Sequence, residues 1–447
     1  MAQRPILPWK VLLSEHDKLA CQAEESLEEL TEALREPKPE WFPLASFPPG
    51  GAAGRGALEA SLANGYSGIA LFFGEVWRTR GRQQRDLETA IAYIERALEA
   101  VETVRMPPTL FDGFVGVAWA ATCVWRQLEL SVREGGEIFS LAEVDDAMVS
   151  LVARPTWRGS YDLTIGLVGS GLYLLDRLPA AQAREGLCTI LWHLEQLATW
   201  TDQGATWFYA PETLNDDYRE LFPNGYYNLG LAHGIPGVIS FLSRLVCQRV
   251  ELERANGLLA EALRWLLAQR RPPGDVAQFP EMLAENDVRL SDRLAWCYSD
   301  LSLAFTILDA GRNAEVAEWW AVGREIALTA TLRHEKSAAS MDSCVCHGLA
   351  GQAHLLNRLY QRLREPQLAE ASLATFSKLL VDRTPGAGIC GFPTWTASGQ
   401  KGRNLWPNNA GLLNGVAGVG LALLSATSTV EPLWDRMLLL DEERCFE

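Results

Sequence analysis

Residues 65–73 read GYSGIALFF, two glycines three positions apart at the head of an apolar run. The device recurs as GFVGVAWAA (Gly113, Gly116), GLVGSGLYLL (Gly166, Gly169) and GIPGVISFL (Gly234, Gly237). It returns as GLAGQAHLL (Gly348, Gly351) and GVAGVGLALL (Gly415, Gly418), while SDLSLAFTIL holds Ser299 and Ser302 in the two glycine slots. Self-similarity of this kind is the signature of a repeat architecture. The intervals hold two helices and their connections, and the sequence between beats has a helical period. In IAYIERALEAV, Ile91, Ile94, Leu98 and Val101 share a face, and in LLAEALRWLL so do Leu259, Leu263 and Leu266. Each glycine pair lets a loop turn sharply and approach its neighbour closely before a helix begins. Each helical hairpin leaves an apolar face uncovered, so the seven pack side by side. The expected fold is all-α, one domain over residues 1–447, a double ring of seven inner and seven outer helices. The turns heading the inner helices then gather at one end.

Two stretches break the pattern. Residues 36–57, EPKPEWFPLASFPPGGAAGRGA, form a Pro/Gly loop before the first beat. Residues 200–230 lack helical periodicity and are rich in aromatic and turn residues, the mark of a small irregular or β-containing insertion at the mouth of the ring.

Composition narrows the function. Forty basic against 56 acidic residues give a net charge of −16, which excludes a general phosphate-binding surface of the kind nucleic acids need. Arg4, Lys10, Glu15, Asp17 and Lys18 interrupt any signal-peptide core. The most apolar stretch, AGLLNGVAGVGLALLSA, carries four glycines and an asparagine and reads as a buried helix, not a membrane span. A cytoplasmic location is expected, with the nine cysteines mostly reduced.

Chemistry clusters at four consecutive beats. Asp162 precedes Gly166 by four residues, His233 stands directly before Gly234, RLAWCYSD brings Arg293, Cys297 and Tyr298, and CHG brings Cys346 and His347. Cys297, Cys346 and His347 make a Cys2His set with one open position, the composition of a catalytic zinc site. Three reduced core residues are the bland alternative, and their shared location at beats favours the metal. Cys344 is the competing ligand and is assigned to packing or support. His233 fits an acid/base role, with Asp162 orienting it and stabilising its charged form. Arg293 and Tyr298 are candidate polar groups of the same site. His16, His193, His334 and His354 do not directly precede a turn glycine and read as structural.

YDLTIGLVG, HGIPG, WCY, CHGLAG and NGVAG, in this order, resemble the signature of the lanthionine synthetase C (LanC) family of lanthipeptide cyclases, from about Gly65 to Leu424. The resemblance implies an α,α-toroid, which in stand-alone class I members can carry a small extension. It implies addition of a precursor-peptide cysteine to dehydroalanine or dehydrobutyrine, giving (methyl)lanthionine thioether rings. Cys297, Cys346 and His347 match the zinc ligands, one Zn²⁺ per chain, His233 and Asp162 the acid/base pair, and Arg293 and Tyr298 the flanking polar positions. The implied partners are a dehydrated precursor peptide (leader plus core), a lanthipeptide dehydratase and a transporter, and a complex of these would hold the chain peripherally at a membrane. The family's fifth beat normally has glycine where Ser299 and Ser302 stand, which bears on the turn holding Cys297. Two rival readings are a zinc enzyme resembling prenyltransferase β-subunits and a LanC-like zinc protein with a scaffold, regulatory or other thiol-modifying role. The first needs a Lys/Arg cluster that the beats lack.

Overall fold

The computed structural model describes residues 6–14, 18–41, 54–130, 141–272, 274, 277–285, 287–334, 342–397 and 404–445. Residues 42–53, most of the expected Pro/Gly loop, and His16 lie outside that set. Sixteen α-helices dominate the described residues.

Every beat starts a helix at its first slot. Gly65, Gly113, Gly166, Gly234, Ser299, Gly348 and Gly415 are all helix N-caps with extended backbone. The reason is the shortage of partners at a helix start, where the first N–H groups have no intrahelical acceptor. Here the preceding loop folds over the helix end and supplies its carbonyls. Leu349, Ala350 and Gly351 donate to the carbonyls of Asp342, Ser343 and Cys344 at 2.9, 3.4 and 3.2 Å, and Leu167, Val168 and Gly169 donate to Ser160, Tyr161 and Asp162 at 3.2, 3.1 and 3.3 Å. That closeness demands glycine. A Cβ on Gly351 would lie 1.8 Å from the carbonyl oxygen of Val345, so the requirement is space more than unusual backbone angles. At the fifth beat the serines do the job differently: Ser299 Oγ accepts from Ser302 N–H at 3.2 Å, an N-cap in the side-chain manner.

The seven beat helices are buried almost all round. All 13 residues of Ile235–Cys247 and all 14 of Asp300–Asn313 are buried. The helices that follow are amphipathic: Gln84–Thr103 buries Ala90, Tyr93, Ile94, Ala97 and Leu98 and turns its charged face to solvent. Leu259, Leu263 and Leu266 lie on the buried stripe of Leu252–Ala268, as their spacing predicts.

Contacts divide the chain into two compact units, Asp145–Ser337 with Met1–Ile6 and Leu438–Glu447, and Leu7–Val144 with Ala338–Met437. In the first, Leu167–Asp176, Ile235–Cys247 and Asp300–Asn313 each pack on the amphipathic helix that follows. In the second, Tyr66–Thr79 and Leu349–Leu363 do the same, whereas the last beat helix, Val416–Thr427, packs on the N-terminal helix Lys18–Leu34.

Of the three small sheets among the described residues, the first unit carries two; the third, Thr396–Ala397 with Asn404–Leu405, belongs to the second. Thr199–Thr201 pairs with Gly204–Thr206, and a four-stranded antiparallel sheet runs in the order Phe208–Tyr209, Tyr226–Asn228, Met282–Ala284, Asp287–Arg289. Half of that sheet comes from residues outside 200–230. The tail is fixed to helix Ile235–Cys247: buried Arg244 pairs with Asp441 and Glu443, 2.7 Å each, and Cys247 forms a disulfide with Cys445. The other seven cysteines are unbridged, so the nine are mostly reduced, as expected, with this one bridge apart. Removing the buried cation from buried Glu443 and partly buried Asp441 is costly, so Arg244→Met is expected to lose about 3–5 kcal/mol of stability. Denaturant unfolding checks it, and a loss below about 1 kcal/mol contradicts it.

Candidate functional site

Asp162 and His233 come together in the first unit. Asp162 is buried on the loop ahead of helix Leu167–Asp176; His233 ends the loop ahead of Ile235–Cys247. His233 Nδ1 lies 2.8 Å from Asp162 Oδ2, with the imidazole side chain 44% exposed and the carboxylate 2%. Ile165 N–H donates to Asp162 Oδ1 at 2.8 Å, and Thr164 Oγ1 sits 3.1 Å from His233 Nδ1. A carboxylate on Nδ1 sets the tautomer, so the neutral ring exchanges protons at Nε2. Tyr209, from the sheet's first strand, places its hydroxyl 3.2 Å from Asp162 Oδ2 and 2.9 Å from the His233 carbonyl oxygen. Burial, then the Asp162 charge, pushes the Tyr209 pKa well above its ordinary value, so it stays a donor. Sequence reading missed Tyr209, whose only signal was a tyrosine in the irregular stretch.

Cys297 is buried between two anchored aromatics. Trp296 Nε1–H donates to the Leu438 carbonyl at 2.9 Å, and Tyr298 lies against Gly230, where a Cβ would meet its ring at 2.4 Å. Tyr298 OH accepts from Asn228 Nδ2 at 2.9 Å, and burial raises its pKa far above the usual value. Arg293 is exposed on the loop before them. Its charge partly counters the upward push that burial gives the Glu281 carboxyl.

In the second unit, Cys346 and His347 occupy the turn ahead of Leu349–Leu363, pinned by Cys346 N–H donating to the Leu413 carbonyl at 2.9 Å. Asp342, Cys344 and His347 offer ligand atoms within 4.8 Å of one another. Asp342 Oδ1 accepts from Cys344 N–H at 3.1 Å, while Oδ2 lies 2.7 Å from His347 Nε2 and 3.4 Å from Cys344 Sγ. The Oδ1 role repeats elsewhere. Ser160, Asn228 and Asn409, each six residues before its beat's first slot, likewise accept from the N–H two residues on. Asp342 is thus a turn former with one oxygen to spare, and that register is the signal by which the sequence could have shown it.

Burial opposes protonation of His347, but Cys344 and Asp342 outweigh it and raise its pKa to about 11. The Cys344 thiol is pushed up by burial and then by Asp342. His347 Nε2 is buried without a well-directed hydrogen bond, for Asp342 Oδ2 is near it but off the N–H direction. An imidazole with one nitrogen beside a carboxylate and with cysteine sulfur close by is a donor set that fits zinc. His193 and His354 are buried on the Val152 carbonyl (2.8 Å) and Asp435 (2.7 Å), and His334 Nδ1 sits 2.7 Å from the Thr331 carbonyl, as structural histidines do.

Residues 56–439 match the model of the lanthionine synthetase C-like protein family. The chain belongs to that family. Among solved structures, nisin cyclase aligns with a TM-score of 0.68 at 17% identity, over 94% of this chain and 97% of its own. A sugar epimerase from a ruminal bacterium aligns at 0.44 and 10% identity, over 92% and 98%. The LanC-like chain therefore has the nisin cyclase fold, and the expected all-α class of the α,α-toroid type, with small sheets, holds. No helix among its described residues is long and apolar enough to cross a membrane.

Proposed function

We propose that this LanC-like protein is a zinc-dependent lanthipeptide cyclase. It adds cysteine thiols of a dehydrated precursor peptide to dehydroalanine or dehydrobutyrine. The observation that carries the reading is the half-exposed His233 imidazole held on buried, hydrogen-bonded Asp162 in a chain of this family. The metal ligands in this reading are Cys297, Cys346 and His347, the residues that match the zinc ligands of the family. Zinc bound there supplies the Lewis acidity that keeps a peptide thiol as thiolate near neutral pH.

The rest falls to the chain's own residues. Sulfur attack at the β-carbon forms the C–S bond and pushes the alkene electrons onto the neighbouring amide as an enolate. His233, protonated at Nε2, delivers a proton to the α-carbon, and Asp162 stabilises the imidazolium before transfer. Arg293 and Tyr298 are the polar groups flanking the developing charge. The thiol proton lost and the α-carbon proton gained balance, so ring closure leaves the peptide mass unchanged. A dehydratase supplies the substrate and a transporter takes the product onward; a cytoplasmic location, peripheral to the membrane through such a complex, suits that order.

The test is to incubate the protein with a dehydrated cysteine peptide, alkylate, and read the mass. Closed rings escape alkylation; full alkylation with and without protein sinks the reading. Asp342 adds a further expectation. As the carboxylate beside a ligating histidine it orients the ring, so Asp342→Asn is expected to weaken zinc retention about 10–100-fold. Competition against a chromophoric chelator measures it, and unchanged affinity removes Asp342 from the metal's support.

A further inference from the structure

The four-stranded sheet has two faces, and the pair Asp162–His233 uses one. Phe208 and Tyr209 are consecutive in the same strand, so their side chains leave on opposite faces. Tyr209 turns towards Asp162 and His233. Phe208 turns the other way, and directly opposite it across the sheet follow Tyr227, Leu283 and Val288. The result is an apolar row across all four strands, with Phe208 37% and Val288 52% exposed.

At one end the row becomes a cage. Trp265, from helix Leu252–Ala268, joins Phe208 and Tyr227, with ring centroids 4.9 Å (Phe208–Tyr227) and 5.4 Å (Tyr227–Trp265) apart. These rings line a groove of about 630 Å³. Its charged lining residues are Asp202 and Glu285, and no Lys or Arg is among the described residues that line it. Asn224 Nδ2 holds the Glu285 carboxylate at 2.8 Å.

Aromatic faces attract cations through their quadrupoles, and two carboxylates add to the same preference. An anionic ligand would be repelled, and a purely apolar one would gain nothing from the acids. Length identifies the rest of the occupant. Three inter-strand spacings make the row about 14 Å long, the reach of about four residues of extended chain. We propose that this groove binds the Lys or Arg side chain of an extended peptide whose neighbouring apolar side chains lie along the Phe208–Val288 row. Taking that peptide to be the cyclase substrate rests on the proposed function; the recognition of the cation does not. A peptide so held is anchored on the opposite face of the strand that braces His233 and Asp162. Its remaining length can then move past the reactive side.

The test is calorimetric titration of the full-length protein with Ac-Val-Thr-Lys-Val-Thr-NH2, a peptide without cysteine or dehydro residues, beside its Nε-acetyl-lysine counterpart. Saturable binding is expected, weakened about ten-fold by acetylation and about five-fold by Phe208→Ala. Asp202→Asn with Glu285→Gln should remove most of its salt dependence. Far-UV circular dichroism confirms that the variants fold. Equal binding of the two peptides, no binding at all, or full affinity in folded Phe208→Ala overturns the proposal. Failure here with ring closure intact on a dehydrated peptide leaves the cyclase reading standing. Discriminating lysine binding without ring closure does the reverse.

Discussion

His233→Ala is expected to keep its zinc and lose ring closure by about 10²–10⁴-fold, the usual contribution of a positioned acid or base. The metal should stay because His233 lies at a different beat from Cys297, Cys346 and His347 and does not belong to that donor set. What disappears is the proton at Nε2 and the imidazolium that Asp162 stabilises across 2.8 Å. Asp162→Asn should give a smaller loss. Its amide oxygen can still accept from Nδ1–H and hold the tautomer, but it brings no charge to offset the imidazolium. Zinc content measured beside thiol consumption separates the two effects. A His233→Ala protein that closes rings at the wild-type rate would take this residue out of the mechanism.

Single replacement of Cys297, Cys346 or His347 by alanine should abolish stoichiometric zinc, since removing one of three protein ligands breaks the site. Ring closure should fall with it, because the peptide thiol then reverts to its ordinary, mostly protonated state. Cys344→Ala is the informative contrast. Cys344 is fully buried on Asp342, so its loss leaves a small cavity and keeps the ion. Retention of zinc by Cys346→Ala together with its loss from Cys344→Ala would move the ligand set to Asp342, Cys344 and His347, the second donor group on this turn. The fold should survive in all four variants: the beat helices are buried by apolar packing, with Leu242, Leu301 and Leu355 wholly inaccessible, so no metal is needed as a staple.

The beats were legible because their cause is local. A loop that covers the start of its own helix leaves no room for a Cβ, so glycine must recur at fixed positions, as at Gly351. The serine beat was legible as a departure but not in its consequence. Ser299 caps the helix with its own side chain, and the helix still starts in the same slot. His233 and Asp162 could be singled out for the same local reason, His233 standing directly before a turn glycine and Asp162 four residues ahead of one. What escaped were pairings over long separations. The strands Met282–Ala284 and Asp287–Arg289 are too short to show a period of two, and the first of them joins Tyr226–Asn228 from more than 50 residues away. Tyr209 reaches Asp162 across a separation of 47 residues. Lys18–Leu34 covers the last beat helix from the opposite end of the chain, where a hairpin rule looks only downstream.

Ring closure with a zinc-held thiolate, as proposed, can be read by counting alkylatable thiols on a dehydrated cysteine peptide. The count is made after incubation with the purified protein, with the chelator-stripped protein, and with the stripped protein given back zinc. Thiol loss without mass change is expected in the first, none in the second, and loss restored in the third at about one zinc per chain. Equal thiol loss in all three, or none in any, would rule out a zinc-dependent cyclase.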